Sequence, residues 1–249
     1  MSGGPLLSLS GIAKRFASGT QAIARVDLDV AEGTFLSLVG PSGCGKSTAL
    51  RIIAGLLKPD AGTVSFPSGR PEMGFVFQEP TLMPWATVLG NARLPLDLKG
   101  VPKSESNDRA ARALTRVGLG GFETAYPREL SGGMKMRVSI ARAIAAEPKL
   151  LLMDEPFAAL DELTRQALND DLLKLKDEDA LTVIFVTHSV YESTYLSSRV
   201  VVMTPRPGRV AADIALSPPP ARDETYRLTP QFMRDAGTVS AALKGAMAS

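Results

Sequence analysis

The sequence predicts an α/β fold: a mostly parallel sheet flanked by helices, with a helical insertion in the chain. Three observations carry this expectation. Short apolar runs, such as residues 35–39 and 150–153, alternate with stretches of helical periodicity, as βαβ units require. One of these runs ends in glycine and another in two carboxylates, where a buried parallel strand would meet a ligand. Residues 87–145 are rich in Ala, Leu and Arg and poor in β-branched runs, so they read as mostly helical within an otherwise alternating chain.

The elements follow in order. Residues 6–9 and 26–30 read as short strands, and 35–39 as a buried strand ending at Gly40. Residues 47–57 are helical, with Leu50, Ile53, Ala54 and Leu57 on one stripe. Residues 62–66 and 73–77 read as strands joined through the turn Pro67-Ser68-Gly69. Pro102, residues 118–121 and Pro127 punctuate the helical block. Then come a strand at 150–153, a helix at 161–176, a strand at 182–187 and a short helix at 191–196. Strands at 200–203 and 209–212 surround the turn at 205–208. Pro218-Pro219-Pro220 marks a linker, and the segment after it is weakly amphipathic. This reading gives a single domain at 1–220, with the insertion at about 79–146, and a tail at 221–249.

Composition narrows the class. The 249 residues carry 28 Lys and Arg against 26 Asp and Glu, a net charge of +2 that requires neither nucleic acid nor an anionic membrane as partner. Hydrophobic residues at 45% and charged residues at 22% exclude global disorder. One cysteine cannot form an internal disulfide, which favours a reducing compartment. Residues 1–5 lack the basic and apolar regions of a secretory signal, and the longest apolar runs fall far short of the ~20 residues a spanning helix needs. Any membrane role is therefore expected to go through a partner.

Gly40-Pro41-Ser42-Gly43-Cys44-Gly45-Lys46-Ser47 fits G-x-x-x-x-G-K-[ST], with a strand before it and a helix after it, and Thr48, next in the chain, is counted with these residues as nucleotide-binding. Glycines let a backbone wrap a phosphate without Cβ clashes, the loop N–H groups serve as donors, and the helix adds its positive end. Lys46 is expected to reach the β- and γ-phosphates and Ser47 to ligate Mg²⁺. Cys44 has two readings: a small residue whose amide matters, or a thiol whose modification would block nucleotide binding.

Leu150 to Met153 runs into Asp154 and Glu155. Adjacent strand residues point to opposite faces, which splits their roles. Asp154 is expected to hold Mg²⁺ and Glu155 to orient or deprotonate a water.

Leu130-Ser131-Gly132-Gly133-Met134, followed by Arg137, resembles the signature motif of ATP-binding cassette (ABC) proteins, and Ser131 precedes Asp154 by 23 residues. Gln78 resembles the family's Q-loop residue, Ala159-Leu160-Asp161 its D-loop, and Thr187-His188 its switch histidine. Phe16 stands where the family places an aromatic against adenine, with ordinary core the alternative. The resemblance covers residues 6–212. The segments 78–85, with Val88, Asn91 and Leu94-Pro95-Leu96, and 205–209 resemble importers of nitrate, sulfonate and taurine. Two features depart from the pattern: Lys135-Met136-Arg137, and an Ala- and Ser-rich stretch after Gly237 where a charged helix is expected.

The resemblance implies a P-loop NTPase (RecA-like) core with an N-terminal antiparallel β part and a helical subdomain, acting as an ATPase on ATP and Mg²⁺. Ser131, Gly132, Gly133 and Asp161 would complete the ATP site of a second copy of the cassette. His188 would bond the γ-phosphate, and Gln78 would sense Mg²⁺ and water. Residues 79–96 would dock on an integral-membrane permease, at the cytoplasmic face of a bacterial inner membrane, with a periplasmic binding protein as indirect partner. Trp85 is then either a core anchor or part of that interface. The alternative is a soluble ABC ATPase on nucleic acid or ribosomes. Such proteins usually carry two cassettes or a long coiled-coil insertion, and this chain has neither.

Overall fold

A computed structural model describes residues 4–219, 222, 223 and 225–248, so Pro220 of the proline run lies outside the described residues. The chain divides into two compact units, one from residues 1–70 and 182–249, the other Pro71–Leu181.

In the first unit the described strands are β1 (Pro5–Arg15), β2 (Gln21–Ala31), β3 (Phe35–Val39), β4 (Ala61–Ser65), β7 (Thr182–Thr187), β8 (Arg199–Met203) and β9 (Gly208–Ala215), counting β5 and β6 in the second unit. They run side by side as β4-β1-β2-β9-β8-β3-β7. β1 pairs antiparallel with β2 and β4, and β8 with β9, while β2 and β9 are parallel. The inner strand β3 is parallel to both β7 and β8. β3 and β7 are buried throughout, which is why they read as continuous apolar runs. β1 and β2 run several residues longer than expected, because their ends carry polar residues on the solvent face of a hairpin.

Helix α1 (Lys46–Ile53) follows β3, and α6 (Val190–Leu196) follows β7. Most of the segment read as weakly amphipathic is helix α7 (Pro230–Ala248). Its Val239 and Ala246 pack with Val39, Val200, Val202 and Leu216, flanked by Ala242 and Leu243. The residues after Gly237 therefore form helix without the expected charges, and their small side chains fit them against the sheet.

In the second unit β5 (Met73–Val76) and β6 (Leu150–Asp154) are parallel, joined through α2 (Val88–Leu98), α3 (Lys103–Arg116) and α4 (Gly132–Ile144). α5 (Glu162–Glu178) follows β6. Arg137 ties three of the helices together: it donates to the Val117 carbonyl at 2.7 Å and pairs with Asp171 of α5 at 2.6 Å.

Candidate nucleotide site

The loop after β3 is shaped by close approaches. Gly45 has φ 107°, and a Cβ there would lie 2.8 Å from the Ala22 carbonyl oxygen. A Cβ at Gly40 would meet Cys44 Sγ and the Met203 carbonyl oxygen, each at 2.9 Å. Glycine is thus required by the fold at both positions. The result is a cradle of backbone amides at the start of α1, with Ser47 and Thr48 half-buried in its first turn. Lys46 is 3% exposed, and its Nζ donates to the Gly40 and Pro41 carbonyls at 2.8 and 3.1 Å. The ammonium thus lies inside the cradle, while Ser42 and Gly43 are exposed at its rim. Cys44 is 1% exposed, which favours the reading as a small residue whose amide matters over the reading as a modifiable thiol.

Parallel pairing sets Val39 opposite Thr187, so Gly40 and exposed His188 each follow directly on the paired ends of adjacent strands. A residue the sequence analysis missed holds this corner. Buried Glu192 accepts from Thr187 Oγ1 at 2.5 Å, and Thr187 Oγ1 accepts from the Ser189 N–H at 3.0 Å. Ser189 caps α6 by accepting from the Glu192 N–H at 3.2 Å. The spacing Ser189-x-x-Glu192 is a capping-box signal that could have revealed it. Phe16 is 41% exposed in the turn between β1 and β2, so the core alternative for it is not met.

In the second unit Asp154 ends β6 and is 5% exposed. Glu155 departs from the expectation of two alternating strand residues: it lies beyond β6, half-buried, with φ 46°. A left-handed glutamate costs on the order of 1 kcal/mol, and such strain persists where it aims a side chain. Exposed Ser131 and Gly132 open α4, and Ser131 Oγ accepts from the Met134 N–H at 3.2 Å. Asp161 caps α5, accepting from the Thr164 N–H at 3.0 Å, and that backbone hydrogen bond is the main cause holding its carboxyl below the usual range.

Gln78, exposed two residues past β5, opens a loop locked from both sides. Fully buried Asn91 accepts from the Met83 N–H at 2.7 Å and donates to the Met83, Ala86 and Thr87 carbonyls at 3.0–3.1 Å. Arg142 of α4 donates to the Pro80 and Thr81 carbonyls at 2.8 and 3.0 Å, and burial lowers its pKa. Trp85, in this rigid loop, is 77% exposed and so is not a core anchor.

A family model described as ABC transporter matches residues 23–158, which span the cradle, Gln78, the signature segment and the acidic pair. The chain belongs to the ABC transporter family. An uncharacterised ABC transporter ATP-binding protein of Methanocaldococcus jannaschii is 50% identical over 210 residues, covering 82% of this chain and 79% of that protein. A taurine import ATP-binding protein of Rhizobium johnstonii is 45% identical, covering 80% and 78%. A nitrate import ATP-binding protein of Synechocystis is 39% identical, covering 90% and 88%. A dimeric ATP-binding cassette in a post-hydrolysis state with ADP and Pi superposes with TM-score 0.76 at 35% identity, covering 85% of this chain and 99% of that one. The protein is an ABC ATPase with a P-loop NTPase fold, of the nitrate and taurine importer type. Among the described residues no helix is long and apolar enough to cross a membrane.

Proposed function

We propose that this ABC ATPase energises uptake of a small anion of the nitrate, sulfonate or taurine type, working as a cassette dimer on a separate permease. The observation that carries the reading is the loop from Gln78 to Thr87. Asn91 and Arg142 hold it rigid while it presents Trp85 to solvent, and a large apolar side chain on an immobilised loop suits a protein partner. Import-type relatives supply the cargo class.

In this reading Lys46 and the loop amides hold the β- and γ-phosphates, His188 bonds the γ-phosphate, and Phe16 stacks on adenine. Ser47, Gln78 and Asp154 offer a hydroxyl, an amide oxygen and a carboxylate. These hard oxygens suit Mg²⁺ shared with substrate phosphates, and three are too few for an all-protein cage. Bound there, Mg²⁺ would neutralise phosphate charge. Glu155 takes the proton of the attacking water. Ser131, Gly132, Gly133 and Asp161 lie on exposed helix starts, where they would face the ATP of a second cassette, and symmetry then gives two equal sites. ATP binding closes the pair, and loss of the γ-phosphate contacts on hydrolysis opens it. A periplasmic binding protein would deliver the anion to the permease, which places this chain at the cytoplasmic face of the membrane.

The test is a detergent pull-down of the tagged chain from native membranes with mass spectrometry. A stoichiometric polytopic membrane protein is expected. Recovery with ribosomes or DNA, or alone in the soluble fraction, would sink the transport assignment and leave the ATPase standing.

A further inference from the structure

The turn between β8 and β9 presses on the phosphate loop from outside. A Cβ at Gly208 would fall 2.1 Å from the Cys44 carbonyl oxygen, and the Met203 carbonyl abuts Gly40. Thr204 stiffens the turn: its N–H donates to the Arg209 carbonyl at 3.0 Å, and its hydroxyl accepts from the Arg209 N–H at 3.1 Å. From this turn Arg206 reaches across the loop. Its Nε donates to the Gly43 carbonyl at 3.0 Å, and its Nη2 occupies the space 2.9 Å from where a Cβ at Gly43 would stand.

The Gly43 carbonyl and the Cys44 N–H belong to one peptide plane and point in opposite directions. With the carbonyl bonded to Arg206, the N–H faces the other way and donates to the Pro41 carbonyl at 3.3 Å, so the peptide is held from both sides. A flipped peptide would aim a carbonyl dipole at the anion and break the hydrogen bond that holds the two sides of the loop together. An ionised donor makes the stronger kind of hydrogen bond, and it adds a positive charge beside an anion site.

We propose that Arg206 is a positioning residue for nucleotide binding: it fixes the Gly43–Cys44 peptide so that the cradle is preset for the phosphates of ATP. This rests on residues 40–47 being the ATP cradle. Because the contact is exposed, its effect is modest, and it acts on binding rather than on the chemical step.

The experiment measures MgATP affinity of the purified full chain by calorimetry, with steady-state kinetics and melting curves, for wild type, Arg206→Ala, Arg206→Lys and Lys46→Ala. Arg206→Ala is expected to weaken ATP binding and raise KM about fivefold, with kcat and the melting temperature of the nucleotide-free protein unchanged. Arg206→Lys, which keeps a charged donor, recovers part of the affinity. Wild-type affinity in Arg206→Ala beside lost affinity in Lys46→Ala would overturn the role of Arg206 alone. Wild-type affinity in both would overturn the cradle assignment and this role with it. A fall in melting temperature that Lys does not reverse would reduce Arg206 to a packing residue.

Discussion

Gly45 of the phosphate loop and Gly132 of the signature segment both stand at glycine-rich helix starts, yet the chain constrains these two residues differently. At Gly45 the backbone is left-handed and a Cβ would strike the Ala22 carbonyl. At Gly132 a Cβ would meet only Leu160 Cδ2 at 3.8 Å, an ordinary contact. Ser131, beside it, already has a local task as helix cap. The first glycine is required from within the fold. Nothing in the described residues requires the second, and a helix would favour alanine there. The difference teaches where to look for the reason: in the proposed dimer, Gly132 faces the partner's nucleotide, so its constraint comes from outside the chain.

The largest test removes the chemistry and leaves both helix starts intact. Glu155→Gln is expected to lower ATP turnover by about 100-fold or more while ATP binding persists. Dimers should then accumulate in gel filtration with ATP. Turnover near wild type would remove Glu155 from its role as base.

Next comes the pair of glycines. Gly45→Ala is expected to abolish ATP binding and lower the melting temperature, because strain and a backbone clash coincide. Gly132→Ala should keep the melting temperature and ATP binding of the lone chain, yet reduce turnover about tenfold, as for the loss of one contact to a transition state. Full turnover in Gly132→Ala would break the comparison. A smaller effect is expected in the loop at 78–87, which is locked from within as the phosphate loop is. Asn91→Ala strands the Met83 N–H and three carbonyls, and should cost about 2 kcal/mol in denaturant unfolding. No loss would mean that α2 and α4 hold the loop without it.

Legibility in the sequence follows the same division. Residues 40–47 and Asp154-Glu155 were readable because contiguous residues carry the chemistry and a buried parallel strand precedes each. The inner strands were readable for the same reason, as unbroken apolar runs. Helix α7 was not, because its buried stripe relies on alanines such as Ala236 and Ala246, which give little amphipathic contrast. Asn91 drew notice only through a family resemblance, and its bonds to the loop at 83–87 are set by three-dimensional packing. Arg206 stands 163 positions from Gly43, and no local pattern announces that contact. Glu155 was placed in its role by its neighbours, but the left-handed backbone that frees it from the strand shows only in the structure.

Asp161 tests the finest form of the comparison, because it has an internal task and is assigned an external one. Its carboxylate accepts the Thr164 N–H at the start of α5, and that bond lowers its pKa in the folded state. A carboxyl held below its unfolded value, near 3.9, contributes stability that is complete above that pH. The contribution is lost as pH falls through the lower folded value. Asp161→Asn keeps a capping oxygen but does not titrate. Its stability at pH 7 should therefore match the parent, while the acid limb of its stability curve becomes flatter. Turnover is the deciding readout. A fall in turnover at unchanged neutral stability places the need for the carboxylate across the dimer, alongside Gly132. Unchanged turnover would make Asp161 a helix cap and nothing more, required from within, as Gly45 is.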